Sequence, residues 1–179
     1  MDLPGAERET REIREIWDAS TALMREDASE ANFKKHAGRF KVLHLASHGE
    51  FNPASPLNSR LLLAAGDGED GSLTADELYS MNLNAELVTL SACETGLGDL
   101  ASGDDVIGLT RGFLYAGTNS IVTSLWQVSD DATAFLMQRF YQNMKNSPKA
   151  SALRDAILET KEHYPNPAHW SAFNLSVAF

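Results

Sequence analysis

The sequence predicts an α/β fold with a mostly parallel central sheet. Short apolar runs alternate with helical patterns along the chain, and this alternation is typical of strands joined by helical crossovers. The chain has 179 residues, of which 43% are hydrophobic, so it can bury one substantial core. We therefore expect a single domain over residues 1–179, with lead-in helices in 1–40 and the sheet-bearing core in 41–179.

The strands are predicted from short, near-continuous apolar runs bounded by turn residues, a pattern typical of strands that are covered on both faces. The predicted strands lie at 21–25, 41–47, 60–65, 86–92, 120–126 and 173–179. Loops rich in small and polar residues follow two of these runs, at 49–59 and at 96–105. The functional residues of such a sheet are expected at the carboxyl ends of its strands.

Helix start and stop signals separate the strands. The predicted helices lie at 4–17, 27–38, 74–81, 106–116, 131–145 and 147–163. In the first helix, Ile13, Ile16 and Trp17 form an apolar stripe at helical spacing. In the third, Thr74 and Glu77 have the spacing of a capping box, in which each side chain accepts a backbone N–H of the first turn.

Two helix starts leave alternatives open. Either Asp27 or Ser29 caps the second helix, since both residue types are favoured at that position. Either Ser129 or Asp130 caps the long helix at 131–145 for the same reason. Glycines such as Gly117 are the predicted ends of helices, because glycine tolerates the left-handed conformation in which many helices end.

Composition excludes several classes of protein. The formal net charge is −10, so no basic surface is available to neutralise the phosphates of a nucleic acid. The chain has one cysteine, which rules out an intramolecular disulfide and suits a reducing compartment. It has neither an apolar run of about 18 residues nor the features of a signal peptide. We expect a cytoplasmic protein that binds neither nucleic acid nor membrane.

Reactive side chains follow two of the predicted strands. His48 comes directly after Leu45-Ala-Ser, and Cys93 comes directly after Leu90-Ser-Ala. Cysteine attacks as the thiolate, which is scarce at neutral pH, so a neighbouring imidazole is needed to take the thiol proton. The tetrahedral oxyanion needs backbone N–H donors, and Gly49 and Cys93 are the candidates for that oxyanion hole. The pattern predicts a Cys-His dyad.

Each residue alone has an ordinary explanation. A single cysteine at a strand end is usually a small buried hydrophobe, and a single histidine after a strand is often structural. The pair carries more weight, because His48 precedes Cys93 by 45 residues and both follow strands. In caspases a histidine stands about 50 residues ahead of the nucleophilic cysteine.

Several long segments together resemble one family. Val42-Leu-His-Leu-Ala-Ser-His-Gly49 resembles the strand and histidine motif of CHAT domains, and Leu90-Ser-Ala-Cys-Glu-Thr-Gly-Leu-Gly98 closely resembles their cysteine motif. Further segments that resemble the family in the same order lie at 108–117, 124–130, 152–156 and 169–173. The segment beginning Leu3-Pro-Gly-Ala resembles the family's lead-in helix.

The resemblance implies a caspase-like three-layer α/β/α sandwich, kinship with separases and caspases, and a cysteine peptidase core at 41–179. It implies a protein or peptide substrate and an N-terminal tetratricopeptide-type repeat domain, or another regulatory partner, that controls access. The family usually has a strand ahead of the lead-in helix. We expect this chain to lack that strand and to be an N-terminally truncated fragment.

Three residues are candidates for binding the substrate. In separases the segment like 124–130 carries an acidic residue that binds a basic side chain next to the cut, so Asp130 implies a basic P1 residue; the alternative is that Asp130 only caps its helix. Asp131 shares either role. Glu94 lines the pocket or shapes its loop, and it does not help activation, because a carboxylate beside a thiol raises the thiol pKa. Trp126 lines the pocket or packs in the core.

The other histidines do not predict a metal site. His44 is expected to be a core histidine, and the remaining ones have no ligand spacing with Cys93. No nucleotide-binding glycine motif occurs, so no cofactor is expected. The leading hypothesis is a cysteine endopeptidase. The alternatives are a catalytically silent interaction or scaffold module on the same fold, and a hydrolase of small esters or amides.

Overall fold

The computed structural model describes residues 4–17, 19–52, 54–91 and 107–178. Its helices are α1 (Pro4–Ile16), α2 (Glu30–His36), α3 (Ala75–Tyr79), α4 (Ile107–Tyr115), α5 (Asp130–Asn143) and α6 (Lys149–His163). Its strands are β1 (Val42–Leu45), β2 (Gly49–Glu50), β3 (Arg60–Leu62), β4 (Ser72–Thr74), β5 (Leu87–Leu90), β6 (Ser120–Ser124) and β7 (Phe173–Val177). None of the helices in these ranges has both the length and the apolar character needed to cross a bilayer.

The central sheet has four strands in the order β1-β5-β6-β7. The first three strands run parallel, and β7 pairs antiparallel with β6. The short strands β2, β3 and β4 form a separate antiparallel sheet. Because β1, β5 and β6 run the same way, their carboxyl ends all meet at one edge of the central sheet, which we call the C-edge.

Helices cover the central sheet on both faces. One buried cluster joins the sheet to α3 and α4, through Leu78, Val88, Leu90, Leu109, Phe113 and Ile121. A second cluster joins the opposite face to α5 and α6, through Leu87, Val122, Leu136, Met137, Phe140, Tyr141, Leu153 and Ala156. Successive residues of β5 point to opposite faces of the sheet. Each fully buried leucine contributes roughly 2 kcal/mol to stability, so a shift of the strand register by one residue would be strongly destabilising. This arrangement confirms the predicted α/β/α sandwich.

Most predicted helix boundaries are confirmed by their caps. The Ser29 side chain accepts a backbone N–H of α2, so Ser29 rather than Asp27 is the cap. The capping box of Thr74 and Glu77 is present at the start of α3. Gly117, after the end of α4, has a φ of 95°, the left-handed conformation that its predicted role as a stop requires.

The strand predicted at 21–25 is wrong. In the structure Arg25 has a φ of 54° and begins a short 3₁₀ turn, which is incompatible with an extended strand. The Arg25 guanidinium lies 3.2 Å from the Glu7 carboxylate of α1, so this segment packs on the helix and does not join the sheet. The prediction also missed β2 inside the loop at 49–59, because a strand of two residues has no periodicity to detect.

Candidate active site

The strand register brings the two predicted catalytic segments to the same place. Leu45 and Leu90 are paired in the parallel ladder of β1 and β5, and the Ser91 N–H donates to the Leu45 carbonyl over 3.2 Å. His48 follows Leu45 by three residues, and Cys93 follows Leu90 by three residues. The strand residues that precede the two segments, Leu45 and Leu90, therefore lie side by side at the C-edge. Cys93 and Glu94 themselves lie outside the described residues.

The small sheet holds the backbone at His48 and Gly49. The Leu62 N–H donates to the His48 carbonyl over 2.8 Å, and Gly49 is paired with Leu61. Hydrogen-bonded and non-hydrogen-bonded pairs alternate along an antiparallel ladder, so Gly49 belongs to a non-hydrogen-bonded pair. Its N–H therefore points away from β3. The Gly49 N–H is thus directed to the side of β2 that is not paired with β3, which is the orientation that the proposed oxyanion donor needs.

Asp130 lies at the start of α5, beyond the carboxyl end of β6. Ser129 occupies the N-cap position, without a side-chain cap hydrogen bond, and Asp130 is the first helical residue. The alternative in which Asp130 caps this helix is therefore wrong. A Cβ built on Gly5 of α1 would lie 2.1 Å from Asp130 Oδ2. The Asp130 carboxylate thus packs directly on the first turn of α1, where only glycine leaves room for it.

Asp131 differs from Asp130 in its partner. The Arg8 guanidinium donates to Asp131 Oδ1 over 2.6 Å. This hydrogen bond, opposed by burial and supported by the negative charges of Asp131, Glu12 and Asp130, raises the pKa of the Arg8 guanidinium above its ordinary value. Asp131 therefore already has a cationic hydrogen-bond partner within the protein, which makes it the weaker candidate for binding a substrate cation.

Trp126 is held by the segment ahead of β7. Its indole N–H donates to the Ala168 carbonyl over 2.9 Å, and its ring packs partly against the core beneath α5 and α6. Packing therefore accounts for much of the Trp126 side chain. Its predicted contact with the substrate stays a prediction.

One group of carboxylates in the described ranges has the spacing of a cation site. Oxygens of Glu30, Glu69 and Glu77 lie within 4.8 Å of one another. The Lys34 ammonium lies between them, at 2.6 Å from Glu30 and 2.8 Å from each of the other two. An internal ammonium thus already occupies the position that a metal ion would need. This cluster lies between α2 and α3 and is not part of the C-edge.

Sequence reasoning missed a polar cluster beneath the C-edge. Glu9 of α1 is 3% exposed, and its Oε1 lies 3.1 Å from Nε2 of His44 in β1. His44, which was predicted to be a core histidine, is partly buried among polar side chains, with 11% of its side chain exposed. One signal was available for Glu9: it stands four residues before Ile13 and seven before Ile16, on the apolar face of the helix.

Comparison with known proteins extends these observations. A family model described as the CHAT domain matches residues 1–178. Tetratricopeptide repeat protein 28 of Mus musculus is 33% identical over 106 residues, which cover 58% of this chain and 4% of that protein. Tetratricopeptide repeat protein 28 of Homo sapiens is 30% identical over 160 residues, which cover 76% of this chain and 6% of that protein. The chain therefore spans only a small part of the length of these relatives.

Proposed function

We propose that this chain, which belongs to the CHAT domain family of caspase-like peptidase domains, is a cysteine endopeptidase that uses Cys93 and His48 as a catalytic dyad. The observation that carries the proposal is the pairing of Leu45 with Leu90, since His48 and Cys93 each follow the paired residue at the same distance in sequence. A buried structural cysteine and a structural histidine have no reason to share this register. A base and a nucleophile must come within reach of each other, and this register supports such an approach.

The proposed reaction follows the chemistry of acyl transfer. His48 takes the thiol proton, and the Cys93 sulfur attacks the carbonyl carbon of the scissile peptide bond. The oxyanion that forms is bound by the N–H groups of Gly49 and Cys93. His48 then gives its proton to the leaving amine as the C–N bond breaks. Water, deprotonated by His48, attacks the thioester; the C–S bond breaks and the acid product leaves with the thiol restored.

The same edge provides a site for a basic P1 side chain. Asp130 is exposed at the N-terminus of α5, one strand further along the sheet than the Cys93 segment. Its side chain packs against Gly5. The Arg8 guanidinium interacts with Asp130 only through space, whereas it forms its hydrogen bond with Asp131. Glu94 and the exposed part of Trp126 complete the proposed pocket. A protein or peptide cleaved after arginine or lysine fits this pocket best.

Regulation by a repeat domain is part of the proposal. Both relatives are named as tetratricopeptide repeat proteins. An N-terminal tetratricopeptide-type domain, or a separate partner of that type, would recruit the substrate or control its access to the C-edge. A reducing compartment would keep Cys93 as a thiol.

The test is a panel of fluorogenic peptides varied at P1, incubated with the purified chain and with a Cys93→Ala variant. We expect cleavage after arginine or lysine that is absent in the variant. Labelling of Cys93 by a peptidyl acyloxymethyl ketone is measured in parallel. The wild type is also tested when joined to a repeat domain. If it neither cleaves any peptide nor reacts with the probe in either form, the peptidase proposal is wrong and the alternative of a catalytically silent interaction module is adopted.

Asp130→Asn is expected to lower kcat/KM for arginine and lysine substrates by about 10- to 100-fold, the value of a hydrogen bond between charged groups. The labelling rate of Cys93 by iodoacetamide, which has no P1 group, should stay unchanged. Asp131→Asn is the matched control, because Arg8 compensates that carboxylate. Equal losses in the two variants would place the P1 site elsewhere.

A further inference from the structure

A connected group of polar side chains is buried between α1, the central sheet and α5. His44 Nε2 lies 3.1 Å from Glu9 Oε1 and 3.4 Å from Ser91 Oγ. His44 Nδ1 lies 3.1 Å from the Tyr141 hydroxyl, which donates to Thr89 Oγ1 over 2.9 Å. Burial raises the pKa of Tyr141 far above its ordinary value, so Tyr141 remains a neutral donor at every relevant pH. We call these five residues the β1–β5 polar cluster.

The cluster contains an acid, an imidazole and a serine hydroxyl, but it is not a second hydrolytic site. In a catalytic triad the acid and the hydroxyl bind opposite nitrogens of the ring, so that a proton can pass through it. Here Glu9 and Ser91 both approach Nε2, while Nδ1 faces Tyr141. Ser91 is only 5% exposed, so no substrate reaches its hydroxyl.

Stability alone does not account for the cluster. Glu9 and Thr89 are 3% and 0% exposed, and a buried carboxylate loses several kcal/mol of hydration that its partners must offset. Apolar side chains of similar volume would fill such a site at least as stably. Hydrogen bonds join His44 to Ser91 and Tyr141, and Tyr141 to Thr89, and such bonds fix the orientation of their members. The Glu9 carboxylate adds a charged group in contact with Nε2 of the His44 ring.

The cluster ends at Ser91, directly after the carboxyl end of β5. Ser91 is held twice, through its hydroxyl by His44 and through its N–H by the carbonyl of Leu45, the residue after His44. Only Ala92 separates Ser91 from Cys93 in the sequence. His44 therefore connects α1 to the carboxyl ends of both strands from which the proposed catalytic residues follow.

We propose that Glu9 is a positioning residue for Cys93: it orients His44, which in turn fixes Ser91 at the end of β5. The inference rests on the proposed function, since it assigns Glu9 a role in the reactivity of the Cys93 thiol. It also gives α1 a role at the active site, although no residue of α1 takes part in the chemistry.

The test compares Glu9→Leu with Glu9→Gln in the whole chain. Leucine fills the volume and cannot bond to His44, whereas the glutamine amide can accept from or donate to Nε2. Glu15→Leu is the matched control, because Glu15 is an exposed carboxylate on the same helix. The readouts are the second-order rate of Cys93 alkylation by iodoacetamide, kcat and KM for the preferred peptide, and the thermal midpoint.

We expect Glu9→Leu to lower the alkylation rate and kcat by about tenfold, the scale of a small misplacement of a reacting group, with KM unchanged. Glu9→Gln should restore most of the rate, and Glu15→Leu should match the wild type. Ser91→Ala removes the hydroxyl at the other end of the connection from Glu9 through His44 to Ser91. Because both changes break the same connection, the double variant Glu9→Leu/Ser91→Ala should be no slower than the slower single variant.

The outcomes separate this inference from the proposed function. A reactive wild-type thiol with an unchanged rate in Glu9→Leu would overturn the positioning role and leave the dyad intact. Additive losses in the double variant would also overturn it, because Glu9 would then act by another route. A wild-type Cys93 no more reactive than a cysteine in a short peptide would overturn the dyad, and the positioning role with it.

Discussion

Replacement of His48 by alanine is expected to lower kcat for peptide cleavage by about a thousandfold, because the variant loses the base that ionises the thiol and the acid that protonates the leaving amine. The fold should survive the change. The small sheet holds His48 through its backbone carbonyl, which accepts from the Leu62 N–H, and alanine keeps that carbonyl. The measurement is kcat for the preferred peptide, with the thermal midpoint of each variant beside it.

Two further measurements identify the loss as one of proton transfer. Added imidazole should restore part of the activity of His48→Ala, since a free base can enter the space left by the ring. The double variant Cys93→Ala/His48→Ala should be no slower than Cys93→Ala alone, because two residues that act as a unit are not additive. His163→Ala, at the exposed end of α6, is the control and should stay within about twofold of the wild type. A retained kcat in His48→Ala would exclude His48 as the base.

The sequence predicted the fold well because the elements that build it have strong local signals. The runs at 86–92 and 120–126 became β5 and β6, with ends shifted by two residues or fewer. Capping side chains set the starts of α2 and α3. The failures are segments whose structure depends on a distant partner. Arg25 turns away from a strand conformation where it meets Glu7 of α1, and no local pattern encodes that contact.

For the candidate site, too, local signals along the chain led to predictions, whereas contacts between distant residues were missed. His48 and Gly49 were predicted as site residues because a parallel sheet places function at its strand ends, a rule that needs only the strand boundaries. The burial of Glu9 was not predicted, because a glutamate on a charged helix looks exposed until α1 is packed against β1. The separate partners of Asp130 and Asp131 likewise depend on Gly5 and Arg8, which lie more than a hundred residues away in sequence.

Lys34→Met is expected to destabilise the protein by about 3 kcal/mol, the cost of leaving buried charged groups without their partner. Methionine keeps the length and volume of the aliphatic stem but removes the ammonium that three carboxylates share. Glu30 is 1% exposed and also accepts from the Gly71 N–H over 2.8 Å, so it cannot turn to solvent without breaking that bond. Chemical unfolding at neutral pH measures the loss.

Lys35→Met is the matched control, because Lys35 is the next residue of α2 and is exposed. Surface changes of this kind alter stability by about 0.5 kcal/mol or less. A loss in Lys34→Met no greater than in Lys35→Met would mean that the three carboxylates are adequately hydrated without the ammonium.

The pH dependence of the same variant tests the electrostatic origin of the loss. Burial opposes ionisation of Glu77, but hydrogen bonds from Lys34 and Thr74 outweigh it and lower the pKa of Glu77 from 4.5 to about 2. A carboxyl group whose pKa is lower in the folded state stabilises the protein above its unfolded pKa, and that stabilisation is lost as the pH falls through the folded pKa. In Lys34→Met the main cause of the lowering is absent. The difference in unfolding free energy between the wild type and Lys34→Met should therefore be largest at neutral pH and shrink between pH 4.5 and about 2. A difference that stays constant over this window would assign the loss to packing of the stem and not to the shared charge.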